Sequence, residues 1–84
     1  MNVLFTANGW QDYLYWQSNN RKILGKINEL IKDISRDSDS GIGKPEQLKN
    51  GLSGWLSRRI NLEKRLVYKI EQGAIIIAQC RYHY

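Results

Sequence analysis

The 84-residue chain predicts an α+β domain, two N-terminal helices packed on a mainly antiparallel sheet, and three observations carry that reading. Residues 23–34 repeat apolar side chains along one helical stripe. From residue 55 onward the apolar period falls to two. A polar, glycine-containing stretch separates the two patterns, so helices and strands are segregated along the chain instead of alternating. The length supports a single domain over residues 1–84.

Val3-Leu4-Phe5-Thr6 reads as a short strand. Thr6 or Asn8 then caps a helix whose expected core stripe is Trp10, Tyr13, Leu14 and Gln17. Ser18-Asn19-Asn20 interrupts it. The second helix puts Ile23, Leu24, Ile27, Leu30, Ile31 and Ile34 on one stripe, with Lys22, Lys26, Glu29, Lys32 and Asp33 outside. Gly25 within it costs about 1 kcal/mol relative to alanine unless close packing requires it. Residues 37–45 form a loop. Its glycines and lysine do not make a phosphate loop, because no Ser or Thr follows the lysine and no strand precedes the glycines.

In the second half, Leu56, Arg58, Ile60 and Leu62 alternate with Trp55, Ser57, Arg59 and Asn61. After a turn near Glu63, Leu66, Tyr68 and Ile70 alternate with Arg65, Val67 and Lys69. Gln72-Gly73 turns the chain into a last strand over residues 74–80. Three strands joined by short turns make an antiparallel meander, which the first strand joins.

The net charge of +5 is unevenly placed. Basic and acidic residues balance over residues 1–43 and again over 70–84. The whole excess lies within residues 44–69, in Lys44, Lys49, Arg58, Arg59, Lys64, Arg65 and Lys69 against Glu46 and Glu63. Such a segment is either a solvated basic face or the footprint of a polyanion such as nucleic acid. Cys80 is the one cysteine, so the chain has no intramolecular disulfide and no thiolate metal cluster. With no signal-like or membrane-spanning segment, the expected location is the reducing cytoplasm, away from membranes.

Arg59 and Arg65 leave the core face of their strands, and the turn between them makes them cross-strand neighbours. Two adjacent guanidiniums repel unless an anion lies between them. Phosphate suits their forked geometry, while Glu46, Glu63 or water are the ordinary alternatives. Glu46, alone between Lys44 and Lys49, is either a surface carboxylate or a general base kept ionised below its usual pKa of about 4.3. His83 is the only histidine, with an ordinary pKa of about 6.5, and the closing Arg81-Tyr82-His83-Tyr84 is the densest cluster of proton-transfer and stacking groups in the chain. Tyr82 and Tyr84 either stack on bases or close the sheet edge. A carboxylate base, an imidazole acid and several phosphate-binding cations suffice for RNA cleavage by its own 2′-OH. That chemistry calls for no cofactor and no metal, and the sequence has no metal-ligand cluster.

The chain resembles the YoeB family of bacterial toxins, in the RelE/ParE superfamily, along essentially its full length. The resemblance is carried by Asp12-Tyr13-Leu14-Tyr15-Trp16, Lys26-Ile27-Asn28-Glu29-Leu30-Ile31-Lys32, Gly43-Lys44-Pro45-Glu46, Leu52-Ser53-Gly54, Ser57-Arg58-Arg59-Ile60, Arg65-Leu66-Val67-Tyr68 and the closing tetrapeptide. Lys64 departs from the family pattern, which has histidine there, and Trp55-Leu56 replaces an aromatic pair.

The resemblance implies a microbial-ribonuclease-like fold and a toxin of a type II toxin–antitoxin system. It implies an endoribonuclease that cleaves mRNA in the A site of the 70S ribosome and is neutralised by a YefM-type antitoxin. It is compatible with a homodimer, and it implies contact with operator DNA only through the antitoxin complex. Carried over by residue, Glu46 is the general base, His83 the general acid and Arg65 the group that stabilises the pentacovalent phosphate. Lys49 and Arg59 assist at the phosphate, and Tyr84 contacts the substrate base. Two other classes compete: a toxin of the same fold that binds a protein target, as ParE-type gyrase inhibitors do, and a non-catalytic basic RNA-binding module.

Overall fold

The computed structural model describes residues 1–83. Its elements are β1 (Asn2–Phe5), α1 (Ala7–Asn19), α2 (Arg21–Arg36), β2 (Glu46–Gln47), a 3₁₀ turn (Asn50–Leu52), β3 (Leu56–Arg59), β4 (Arg65–Glu71) and β5 (Ala74–Gln79). The five strands form one sheet in the order β1-β5-β4-β3-β2, with β1 parallel to β5 and the other pairs antiparallel. The expected α+β architecture holds, with one strand more than the sequence announces. β2 is only two residues long and too short to display a period.

The α2 stripe packs as expected. Ile27, Leu30 and Ile34 are fully buried with Leu66, Tyr68, Ile75, Ile77 and Cys80, and Ile23, Leu24 and Ile31 flank them. Burying one such aliphatic side chain contributes about 1.5–3 kcal/mol. Gly25 meets nothing that an added Cβ would touch, so close packing does not account for it. Gln72 and Gly73 both have positive φ, the conformation of a two-residue hairpin turn that follows the sheet twist.

Three expectations are corrected. The buried face of α1 is Gly9, Asp12 and Trp16, whereas Trp10 is 47% exposed and Leu14 borders solvent. α1 lies so close to β5 that a side chain at Gly9 would run into the Ile77 carbonyl, and that approach decides which face turns inward. Leu62 continues the alternation of β3 on paper, but β3 ends at Arg59 and Leu62 stands 84% exposed in the turn. Asn20 alone breaks the helical run: it ends α1 and caps α2 by accepting the Lys22 and Ile23 N–H groups. At the start of α1, Thr6 rather than Asn8 is the cap, accepting the Gly9 N–H.

Candidate functional site

The chain segment leading to Glu46 is held by a buried cation. Arg58 occupies a core-facing position of β3 and is 0% exposed. Its guanidinium donates to the Asp33 carboxylate at 2.6 Å and to the carbonyls of Ile42, Asp37 and Ser40. Its Nε donates to the Tyr68 hydroxyl, which in turn donates to the Ser38 carbonyl at 2.7 Å. The 37–45 loop is thereby tied to the sheet before it enters β2. Asp33 is therefore not the outward charge of α2 that the stripe suggested, and Arg58 and the Ile42 N–H hold its carboxyl below the ordinary carboxylate range. Burial raises the Tyr68 phenol, with Arg58 opposing.

The sheet face away from the helices collects the other charges. Directly opposed residues of an antiparallel pair share a face. Glu46 opposes Ser57, Ser57 opposes Val67, and Arg59 opposes Arg65. Glu46, Arg59 and Arg65 thus share one face, as the alternation predicted for the two arginines. Glu46 lies two strand spacings, about 10 Å, and two residues, about 7 Å, from Arg65, within the combined reach of the side chains. Among the described residues neither arginine forms an ion pair with a carboxylate. Arg65 is buried, and its Nη1 donates to the carbonyls of Asn61, Leu62 and Lys64 in the preceding turn. Carbonyls orient this guanidinium without neutralising it. Lys49 lies outside the sheet, exposed at the start of the 3₁₀ turn, and shares an open cleft of about 320 Å³ with Glu46.

The tail is tied to α1 and to β4 through Asp12, Trp16, Gln79 and Cys80, whose anchoring role the sequence does not signal. β5 carries an extra residue at Ala78, where the register to β4 shifts between Val67 and Tyr68. Beyond it, the Cys80 N–H donates to Asp12 and the Cys80 carbonyl accepts from the Trp16 indole at 2.8 Å. The Gln79 side chain accepts the Arg81 and Tyr82 N–H groups. Finally the Arg65 N–H donates to the Tyr82 carbonyl at 2.9 Å. His83 is exposed and one residue beyond that anchor. Tyr84 lies outside the described residues. Burial raises the Asp12 carboxyl, against the Cys80 N–H and the charge of Arg81. Burial, with the charge of Asp12, pushes the Cys80 thiol up to about 12, which leaves it a packing residue and not a nucleophile.

The sequence profile of the YoeB-like toxins of bacterial type II toxin–antitoxin systems matches residues 5–84. The chain belongs to that family. Toxin YoeB of Escherichia coli K12 is 52% identical over the full length of both chains, and Toxin YoeB of Synechocystis is 55% identical over all of this chain and 98% of its own. Among solved structures, a YoeB/ParE toxin from Agrobacterium tumefaciens superposes with a TM-score of 0.96 at 41% identity, covering both chains completely. The YoeB–YefM complex from Staphylococcus aureus gives 0.93 at 52% identity over all of this chain and 98% of that one.

In this member of the YoeB-like toxins the basic segment is smaller than its composition suggests. Arg58 is spent on Asp33, and Lys69 on Glu71 at 3.2 Å and on the Trp55 ring. Lys44, Lys49, Arg59, Lys64 and Arg65 remain without a carboxylate partner among the described residues. A signal for Arg58 was present, since a charged residue in register with Leu56 and Ile60 demands a buried partner. No comparable signal marks Asp12. Among the described residues no group of three or more His, Cys, Asp or Glu side chains is arranged to hold a metal ion.

Proposed function

We propose that this toxin is a ribosome-dependent endoribonuclease that cuts mRNA in the A site by attack of the 2′-OH on the adjacent phosphorus. The observation that carries the reading is the Arg59–Arg65 pair, two arginines at opposed positions of β3 and β4, neither in an ion pair with a carboxylate among the described residues. Such a pair suits an anion with several oxygens, and phosphodiester is the anion of an RNA chain.

Glu46 serves as general base and takes the proton of the 2′-OH. The oxygen forms a bond to phosphorus as the bond to the 5′-oxygen breaks, leaving a 2′,3′-cyclic phosphate. Arg65 stabilises the charge of the pentacovalent species, with Lys49 and Arg59 assisting. His83 protonates the departing 5′-oxygen, and Tyr84 contacts the substrate base. The orientation of Arg65 by three carbonyls supports this assignment, because a preset donor needs no reorganisation as charge develops. Every proton in the scheme is moved by a side chain, so no step calls on a metal or a cofactor.

A YefM-type antitoxin is the proposed partner, supported by the S. aureus YoeB–YefM complex at 52% identity, and the S. aureus YoeB dimer supports a homodimer. An acidic segment that folds on binding would meet the exposed cations of the sheet face and silence them. The toxin acts in the cytoplasm, where translating ribosomes are, and contacts operator DNA only through the antitoxin complex. Primer extension on a message translated in vitro tests the activity. Cuts within codons that vanish when ribosomes are withheld are expected. Intact message together with DNA breaks would favour the gyrase-type reading instead.

A further inference from the structure

A second cleft, of about 570 Å³, opens between the first turns of α1 and the tail, bordered by Asn8, Gln11, Asp12, Gln79, Arg81 and Tyr82. The cleavage scheme uses none of these side chains toward substrate. Their chemistry also differs from that of the cationic sheet face. Asn8 and Gln11 are exposed amides at the rim, each able to donate and accept. Asp12 is 6% exposed yet lines the cleft, and one N–H, that of Cys80, is its hydrogen-bond donor among the described residues. An ionised carboxyl accepts about four hydrogen bonds, so this one retains capacity toward the cleft. Arg81 is turned against Tyr15, its guanidinium carbon 3.5 Å from the ring centroid, which leaves the phosphate-binding cations on the other face of the sheet. Tyr82 is 55% exposed, with the Arg81 guanidinium carbon 5.3 Å from its ring centroid, and presents a stacking surface.

The carboxylate at the floor accepts from flat, donor-bearing groups. The volume lies within the roughly 300–1,000 Å³ of small-ligand clefts. The path along the chain from Arg81 to His83 is at most about 7 Å, so an occupant sits next to the nucleotide on which His83 would act. We propose that this cleft is a nucleobase subsite, selecting a base with an exocyclic amino group (adenine, cytosine or guanine) over uracil at a nucleotide neighbouring the scissile bond. The amino group donates to Asp12, the rim amides read the rest of the base edge, and Tyr82 stacks on its face. Uracil offers two carbonyl acceptors around its single edge N–H, and a carboxylate disfavours them. The location beside the scissile bond rests on the cleavage reading, whereas base selectivity does not.

The test is a titration of the ¹⁵N-labelled protein with each of the four nucleoside 5′-monophosphates, following backbone and side-chain amides by NMR. The adenosine, cytidine and guanosine nucleotides should shift the Asn8 and Gln11 side-chain signals, and the uridine nucleotide should bind roughly fivefold more weakly, the worth of one hydrogen bond. Asp12→Asn keeps an acceptor for the Cys80 N–H but turns an amide donor to the cleft, and should erase the preference. Gln11→Ala, an exposed change remote from the Cys80 anchor, should weaken all four and decides the matter if Asp12→Asn fails to fold. Equal binding of all four, or shifts confined to Arg59 and Arg65, overturns the subsite. A flat titration from a protein that cuts translated message defeats the subsite alone. Selective binding by a protein that leaves message intact defeats the cleavage reading and keeps the base site.

Discussion

The backbone N–H of Arg65 donates to the carbonyl of Tyr82 at 2.9 Å. The residue proposed to stabilise the transition state and the residue preceding the proposed acid are thus joined by a main-chain bond. The segment before His83 is sewn to β4 and to α1. On the proposed cleavage reading, the Arg65–Tyr82 bond ties the tail to the site and exposes it to changes made elsewhere.

Trp16→Phe removes the indole N–H from the buried Cys80 carbonyl. An unsatisfied buried carbonyl costs about 1–3 kcal/mol, to be read as a lower urea midpoint. A loosened tail should also slow single-turnover cleavage, on the order of 10–100-fold. Loss of stability with an unchanged cleavage rate would mean that the anchor does not position His83.

Tyr68→Phe deletes the hydroxyl shared by Arg58 and Ser38. Stability should fall by about 1–3 kcal/mol. Hydrogen exchange should quicken across the 37–43 loop before it quickens in α2, since the loop is what the network holds.

Gly25→Ala should act in the opposite direction. The site is open, and alanine in a helix interior is favoured over glycine by about 0.5–1 kcal/mol. Thermal unfolding should shift upward with cleavage unchanged.

The response to acid has a definite sign. Asp33 is lowered by its hydrogen bond to Arg58 and Asp37 by its bond from Ser40, both from an ordinary value of 3.8. The unfolded chain therefore binds these protons more tightly than the native state. Their contribution to stability is complete above that value and is lost as pH falls through the lower folded values. Asp12, raised chiefly by burial, runs the other way: its contribution is complete below 3.8 and declines as pH rises through its folded value. Urea midpoints measured between about pH 2 and pH 5 should fall less steeply toward acid in Asp33→Asn than in the parent.

Much of this was legible in the sequence because the informative elements are periodic. Alternation over 56–70 fixed the face of Arg59 and Arg65 and made them cross-strand neighbours, and six apolar residues fixed the α2 stripe. What stayed hidden depends on contacts distant along the chain. Apolar residues on α1 were a poor guide because a close helix–strand approach at Gly9 and a hydrogen bond to Cys80 turned Asp12 inward. Two-residue β2 has no pattern to read, and although its register marks Arg58 as needing a buried partner, nothing local names Asp33, twenty-five positions away, as that partner.

The central claim is that Glu46 and His83 move the protons of RNA cleavage. The most direct measurement is primer extension on translated message with the parent, Glu46→Ala and His83→Gln, each shown by circular dichroism to keep the parent fold. Each substitution should abolish the ribosome-dependent cuts while folding is retained. Undiminished cutting by both folded variants would contradict the account.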